Sequence, residues 1–330
     1  MPQHSSHEMK MYGAIKLYAG SGSPQLAQSI ADYLDQKLSP RDVIQFPNEN
    51  IFVQLNSSAR GQDVYVIQTT STPVHYNLME LLIMIQTLRL DSAARITAVV
   101  PYLTYGRSDK KDQPRVPITA RLVADMIEVA GADRYMTFDP HAGQIQGFFS
   151  IPGDVLTASH MISEYIQDNL FAQMVSPVVV ATDLGFAKRG RNYALDMDIP
   201  IAFIEKRRVG NNAKAEALTL IGDVKDRDVI IVDDEVDTGG SIAQAVSVVK
   251  KYGASDIYLA FIHPIFSLNA VEKLSALDVK QIITTDTVPI PAEKIKLLEG
   301  RLTILSIAPM LGEVIKRAHE GRSVGEMFNE

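Results

Sequence analysis

Val229-Ile-Ile-Val-Asp-Asp-Glu-Val-Asp-Thr-Gly-Gly-Ser241 runs from an apolar segment into two acids, then a tight turn with paired glycines, then the start of a helix. Four β-branched residues in a row read as a buried strand of a parallel sheet. Backbone N–H groups of the turn and of the first helical turn converge on one spot and favour an anion there. Gly239 and Gly240 let the backbone come close to it, and the hydroxyls of Thr238 and Ser241 add donors. Asp233 and Asp234 stand at the carboxyl end of the strand, where open α/β sheets bind ligands. Their carboxylates suit sugar hydroxyls or a magnesium ion. A bare Gly-Gly turn after a strand is usually no more than a helix cap with solvated acids beside it. The fuller order, with Asp237 ahead of Thr-Gly-Gly-Ser, is more specific than that and makes a place to hold a phosphorylated sugar.

Outward from this loop the chain alternates β-branched runs with helical patterns, the signature of a parallel sheet covered by helices. Strands are expected at Ala14–Tyr18, Asp63–Gln68, Arg95–Val100 and Arg134–Phe138, and again at Val178–Ala181, Ile199–Ile204, Val229–Val232, Asp256–Ile262, Gln281–Thr285 and Leu302–Ser306. The spacing predicts a helix over Asn77–Leu90, with Asn77 as cap and Glu80 three residues on. Another is predicted over Pro117–Ala130, with Pro at its start and Gly131 past its end. Further helices are expected over Ala158–Asn169, Gly240–Tyr252 and Pro309–His319. Pro152 and Gly153 interrupt the pattern and mark the domain boundary. One domain is expected over residues 1–155 and a second over 156–314, with a C-terminal helix, 315–330, returning to the first.

The 330 residues suffice for two cores, and a hydrophobic share of 46% with 22% charged is ordinary for a soluble globular protein. A net charge of −7 argues against broad nucleic-acid binding, for want of a general basic surface. With no cysteine, disulfides, thiolate metal sites and cysteine nucleophiles are excluded. The polar N-terminal segment carries no signal-peptide pattern, and no apolar run approaches a membrane span, so a cytoplasmic protein is expected.

Several further strings are distinctive: Asn77-Leu-Met-Glu-Leu-Leu-Ile-Met-Ile85, Arg95-Ile-Thr-Ala-Val-Val-Pro-Tyr102, Tyr105-Gly-Arg-Ser-Asp-Lys-Lys111, Pro117-Ile-Thr-Ala120, Asp139-Pro-His-Ala-Gly-Gln-Ile-Gln-Gly-Phe-Phe149 and Ile204-Glu-Lys-Arg-Arg208. Together with the 229–241 loop they cover nearly the whole chain, which resembles the ribose-phosphate diphosphokinases, or phosphoribosyl diphosphate synthases. The loop itself looks like the phosphoribosyl-diphosphate loop of the type I phosphoribosyltransferase fold. The resemblance implies two such α/β domains, each a mainly parallel sheet flanked by helices. It implies Mg2+-dependent transfer of the β,γ-diphosphoryl group of ATP to the C1 hydroxyl of ribose 5-phosphate. It also implies a homo-oligomer, commonly a hexamer built from dimers.

Residue by residue, the resemblance implies Asp233, Asp234, Asp237, Thr238, Gly239, Gly240 and Ser241 for ribose 5-phosphate, and Lys206 and Arg208 for catalysis on a pliable charged arm. Phe46, Asn48, Asn50, Arg107, Ser108 and His141 are implied for ATP, with Phe46 stacking on the base across a subunit boundary. His141 and Asp183 are implied at the metal. Ser58 and Arg60 resemble a regulatory phosphate or ADP site. The chain departs from the family at Ser108, where glutamine is usual, at Asn50, where glutamate is usual, and in Ala181-Thr-Asp-Leu-Gly-Phe186, where Ser-Pro-Asp, any residue, Gly-Gly is usual. Two alternatives stand beside this reading. A salvage phosphoribosyltransferase shares the sugar loop but lacks the 105–111 loop and the 206–208 arm. A non-catalytic regulatory relative of the synthase has only the departures in its favour.

Overall fold

The computed structural model describes residues 12–208 and 216–328, without the side chains of 206–208, 216, 217 and 328. The chain divides into two compact units. The first takes the chain up to Thr137, Ala142–Val155 and the segment from Ala308. The second takes Phe138–His141 and Leu156–Ile307.

The first unit opens with β1 (Ile15–Ala19) and α1 (Pro24–Tyr33), then a hairpin of β2 (Arg41–Gln45) and β3 (Ile51–Leu55). There follow β4 (Asp63–Ile67), α2 (Val74–Leu90), β5 (Arg95–Val99), α3 (Thr119–Ala130), β6 (Arg134–Phe138) and β7 (Gly153–Leu156). The main sheet has the order β1-β4-β5-β6-β7, with β1, β4, β5 and β6 parallel. β4 and β5 are buried at every position, so they read as continuous runs with no polar face. The antiparallel β2–β3 hairpin stands apart from that sheet.

Two local expectations are corrected. Asn77 does not cap α2, which begins at Val74 with Pro73 at the cap position. The capping-box pair makes tertiary bonds instead: Asn77 Nδ2 donates to the Ser71 carbonyl at 2.8 Å, and the Glu80 carboxylate accepts from Ser21 Oγ at 2.8 Å and Gln68 Nε2 at 2.9 Å. Pro152 and Gly153 do not break the pattern but lead into β7. Gly153 is required there because a Cβ would lie 2.0 Å from the Tyr135 ring. At α3 the predicted end holds, with Gly131 in the left-handed region at φ 116°.

The second unit contains α4 (Ser159–Asn169), β8 (Val178–Ala181), α5 (Ala187–Met197), β9 (Ile201–Arg208), β10 (Glu216–Ile221), β11 (Val229–Glu235), α6 (Gly240–Lys251), β12 (Ile257–His263), α7 (Ala270–Ser275), β13 (Gln281–Thr285), α8 (Ala292–Leu297) and β14 (Leu302–Leu305). Its seven-stranded sheet has the order β10-β9-β8-β11-β12-β13-β14. All neighbours run parallel except β9 and β10, which form an antiparallel edge hairpin. Val229, Ile231, Val246, Leu259, Phe261 and Ile282 lie in its core.

The last helix, α9 (Ala308–Glu320), belongs to the first unit. Gly312 lets it close on α1, since a Cβ there would sit 2.2 Å from the Tyr33 ring. Polar anchoring is deeper. Arg95 forks onto the buried Asp63 at 2.7 and 2.6 Å, a pair set side by side by the β4–β5 register. His319 Nδ1 reaches the same carboxylate at 2.8 Å, and Arg95 donates to the Ala318 carbonyl at 3.1 Å. No helix among the described residues is long and apolar enough to cross a membrane.

Candidate active site

The 237–241 turn lies between β11 and α6, in the second unit. Gly239 sits at φ 73°, a conformation side chains oppose, and its missing Cβ leaves room for the Ala270 carbonyl, 3.4 Å from where that atom would be. Three successive carbonyls are held from outside: Val236 by the Phe266 N–H at 2.9 Å, Asp237 by the Ser267 N–H at 2.9 Å, and Thr238 by Lys273 Nζ at 2.9 Å. The amides of 238–241, at the turn and the start of α6, make a place that favours an anion.

Just before the turn the two acids differ. Asp233 accepts from the Thr182 hydroxyl at 2.9 Å and from the Asp234 N–H at 2.9 Å. Burial and the neighbouring carboxylate push Asp233 well above the usual carboxylate range. Burial also acts against ionisation of Asp234, but the bond from His141 and the charge of Arg189 outweigh it and bring that group to about 2. The environment thus pushes the two carboxyls apart, Asp233 upward and Asp234 downward.

His141 is brought to this pair from the end of β6. Its Nδ1 lies 2.8 Å from Asp234 Oδ2, and an ionised carboxylate only accepts, so the ring donates at Nδ1. Arg189, on α5, donates to the same oxygen at 3.3 Å and to the carbonyls of Pro140 and His141. Asp183 heads α5, with Oδ1 accepting the Phe186 N–H at 2.8 Å. The altered turn therefore keeps its acid at the helix head, and Thr182 supplies the hydroxyl that binds Asp233.

A magnesium ion can be weighed against these groups. Among the described residues no three His, Asp or Glu side chains are gathered to hold an ion alone. The donors present, the carboxylates of Asp183 and of the Asp233–Asp234 pair, are hard oxygens. They suit an ion that completes its shell with water and phosphate oxygens. Nδ1 of His141 is committed to Asp234.

Other expected residues fall in the first unit. Phe46, Asn48 and Asn50 form the tip of the β2–β3 hairpin, closed by the Phe46 N–H on the Asn50 carbonyl at 2.8 Å. Phe46 is 46% exposed, its ring 6.3 Å from that of Phe52. Arg107 is exposed on the loop after β5. Ser108 next to it is engaged at the head of α3, its Oγ accepting the Thr119 N–H at 3.2 Å and its carbonyl the Ala120 N–H at 3.1 Å. In the same loop Asp109 accepts from Gln144, which joins two of the distinctive strings. Ser58 Oγ donates to Asp91 at 3.2 Å, and Arg60 N donates to Ser58 Oγ at 3.2 Å. The adjoining recess of about 730 Å³ is lined by Asp91, whose charge opposes an anion.

Lys206 and Arg208 pair with Leu218 and Glu216 across the β9–β10 ladder. Their side chains and residues 209–215 lie outside the described residues. Thr182, Arg189 and Lys273 were not legible as site residues. A hydroxyl beside a kept acid, and a cation six residues past it in the first turn of the following helix, are the signals that could have found the first two.

Comparison with known proteins accounts for both units. A family model described as the N-terminal domain of ribose phosphate pyrophosphokinase matches residues 15–131, and one described as the phosphoribosyl synthetase-associated domain matches residues 211–329. A ribose-phosphate pyrophosphokinase of Caldanaerobacter subterraneus subsp. tengcongensis is 43% identical over 315 residues, covering 96% of this chain and 98% of its own. One of Shewanella oneidensis is 43% identical over 318 residues, covering 96% and 99%. The crystal structure of phosphoribosylpyrophosphate synthetase from Mycobacterium smegmatis matches with a TM-score of 0.88 at 39% identity, over 94% of this chain and 100% of that one. With both domains matched and relatives aligned from end to end, the chain belongs to the ribose-phosphate pyrophosphokinase family.

Proposed function

We propose that the chain transfers the β,γ-diphosphoryl group of ATP to ribose 5-phosphate, giving phosphoribosyl diphosphate and AMP. The observation that carries this is the joining of His141 to Asp234 beside an anion-ready turn. It sets a residue implied for ATP against the acids implied for the sugar, in one unit. The amides of 237–241 and the α6 N-terminus hold the sugar phosphate, and Asp233 and Asp234 take the ribose hydroxyls. The C1 hydroxyl oxygen bonds to the β-phosphorus while that phosphorus parts from the α,β-bridging oxygen. AMP leaves with that oxygen, and the hydroxyl gives up its proton to water. Such a reaction rests on positioning and electrostatics more than on covalent help from the protein. Asp183 and the neighbouring acids would hold Mg2+, which would supply neutralisation of phosphate charge.

Lys206 and Arg208 are the cations proposed to offset charge developing on the transferred group. Phe46 is proposed to stack on adenine and Arg107 to bind ATP phosphates. A homo-oligomer, a hexamer built from dimers, is proposed because the hairpin tip presents Phe46 outward. Ser108, given to α3, is proposed to set the Arg107 loop rather than to touch nucleotide. A cytoplasmic location goes with the use of ATP.

The test is ³¹P NMR of the purified protein with ATP, ribose 5-phosphate and Mg2+, beside Lys206→Ala. AMP and a C1 diphosphate ester arising together, and only with the lysine present, are expected. Unchanged ATP in a folded, assembled sample, with and without phosphate, would overturn the proposal. Light scattering on the same sample reads the oligomer.

A further inference from the structure

We infer that Arg189 is a positioning residue, which fixes the peptide segment carrying His141 against Asp234, and that Phe186 holds Arg189 in place. The inference deepens the reading above and rests on it for the roles of His141 and Asp234.

The segment Asp139-Pro140-His141 leaves β6 in a conformation that needs holding. Asp139 lies at φ 34°, on the left-handed side that an aspartate seldom occupies. Each of the three carbonyls is engaged. That of Asp139 accepts from His263 Nε2 at 3.3 Å, that of Pro140 from Arg189 Nη1 at 3.3 Å, and that of His141 from Arg189 Nη2. The two carbonyls held by Arg189 belong to the peptide groups on either side of the His141 Cα. The guanidinium therefore grips the backbone around the residue, not merely near it.

Arg189 Nη2 also donates to Asp234 Oδ2 at 3.3 Å, the oxygen that takes Nδ1 of His141. A closed circuit results: His141 backbone to Arg189, Arg189 to Asp234, Asp234 to the His141 ring. If Arg189 goes, the ring keeps its bond to Asp234 but the backbone loses the grip that aims it. The planar fork explains the residue type. One guanidinium can serve two carbonyls and a carboxylate at fixed angles, which an ammonium on a flexible stem does not reproduce.

Phe186 supplies the remaining face. Its ring centroid lies 5.0 Å from the guanidinium carbon, and the ring is 4% exposed. A cation over a buried ring is attracted by the ring's negative face and shielded from water there. Phe186 stands just ahead of α5, three residues before Arg189 and three after Asp183, so the turn that carries the acid also carries the clamp on the arginine.

The experiment compares Arg189→Met, Arg189→Lys and Phe186→Leu with the unaltered chain by steady-state kinetics and by hydrogen–deuterium exchange. For Arg189→Met, kcat should fall about 30-fold or more while KM for ribose 5-phosphate stays within about threefold. Amide exchange at 141–143 should speed up, with exchange at 237–241 unchanged. Arg189→Lys should recover only part of both, and Phe186→Leu should move both the same way by a smaller step. Wild-type kcat and wild-type exchange around His141 in Arg189→Met would overturn the inference. If that variant does not fold, wild-type behaviour of Arg189→Lys would do so. A rise in KM alone, with the His141 segment unaffected, would also overturn it. Exchange is read without turnover, so an inactive wild type would sink the proposed function while leaving this inference to be decided by the exchange data.

Discussion

Nδ1 of His141 lies 2.8 Å from Oδ2 of Asp234, across 93 positions of sequence. The bond ties the segment after β6 to the acid ahead of the phosphate turn, and the carboxylate pairs with both His141 and Arg189. Asp234→Asn removes that charge with little change of shape. We expect kcat to fall about 100-fold, in the range for losing one preorganised electrostatic partner. Stability should drop by about 1–3 kcal/mol as the donors around it lose an anionic acceptor. Kinetics and urea denaturation check the two parts, and an unaltered kcat would remove Asp234 from the mechanism.

The phosphate turn is braced from behind. Lys273 Nζ binds the Thr238 carbonyl 2.9 Å away, which both orients the peptide and places a cation near the anion site. Lys273→Met should raise KM for ribose 5-phosphate about five- to tenfold, which corresponds to roughly 1–1.4 kcal/mol of binding. KM for ATP should stay put. Titration calorimetry with ribose 5-phosphate gives the same answer without turnover; equal affinity in both proteins would refute it.

A pH prediction follows from two buried groups that oppose each other. Burial lowers His263 to about 4 and raises Asp139 to about 6. His263 binds protons in the unfolded chain below its ordinary value of 6.5 but not in the folded one, so its contribution is present above 6.5 and lost as pH falls toward 4. Asp139 acts the other way: protonated when folded, it favours the native state at low pH, and that favour is lost as pH rises through about 6. Between pH 7.5 and 5 the first effect costs roughly 2 kcal/mol and the second returns roughly 1.4 kcal/mol. The wild type should therefore show a shallow dependence. His263→Gln, stripped of the first effect, should instead become more stable relative to wild type by about 2 kcal/mol on acidification over that interval. Melting curves at the two pH values decide; parallel shifts of both proteins would refute it.

The Asp63–Arg95 pair is nearly inaccessible to water, with side chains 0% and 11% exposed. Arg95→Met leaves the Asp63 carboxylate with His319 and the Tyr65 hydroxyl, 2.8 and 3.1 Å away, and no arginine charge, and should cost about 3–5 kcal/mol. His319→Ala, which leaves the arginine fork intact, should cost less, about 1 kcal/mol, the ordinary worth of one hydrogen bond. Denaturant midpoints separate the two; equal losses would show that the arginine and the histidine are equivalent anchors.

Much of the framework was legible because buried parallel strands announce themselves. Arg134–Phe138, Val178–Ala181 and Gln281–Thr285 coincide with their expected spans, as does the end of α3 at Gly131. The β2–β3 hairpin was not read as strands, since RDVIQ and IFVQL carry no polar–apolar alternation, although the folded hairpin largely alternates exposed with more buried positions. The Asn77–Glu80 spacing misled because a local capping pattern was spent on tertiary bonds to Ser71, Ser21 and Gln68. Ser108 is a donor in any sequence reading, yet its hydroxyl serves the head of α3. The sugar loop could be read because its chemistry is contiguous. The circuit of His141, Arg189 and Asp234 could not, because three separate elements build it and only packing brings them together.

Helix α9 closes on α1 and on the buried Asp63, although both belong to the part of the chain made first. During synthesis the first unit must therefore wait. Its sheet emerges early, but the histidine and the main-chain carbonyls that complete its polar anchor emerge only after the whole second unit. Domain-by-domain folding in order of translation is the usual course; here the unit begun first is sealed last. A chain released short of Ala308 would present a finished second unit and an unsealed first one, a specific target for a chaperone or a protease.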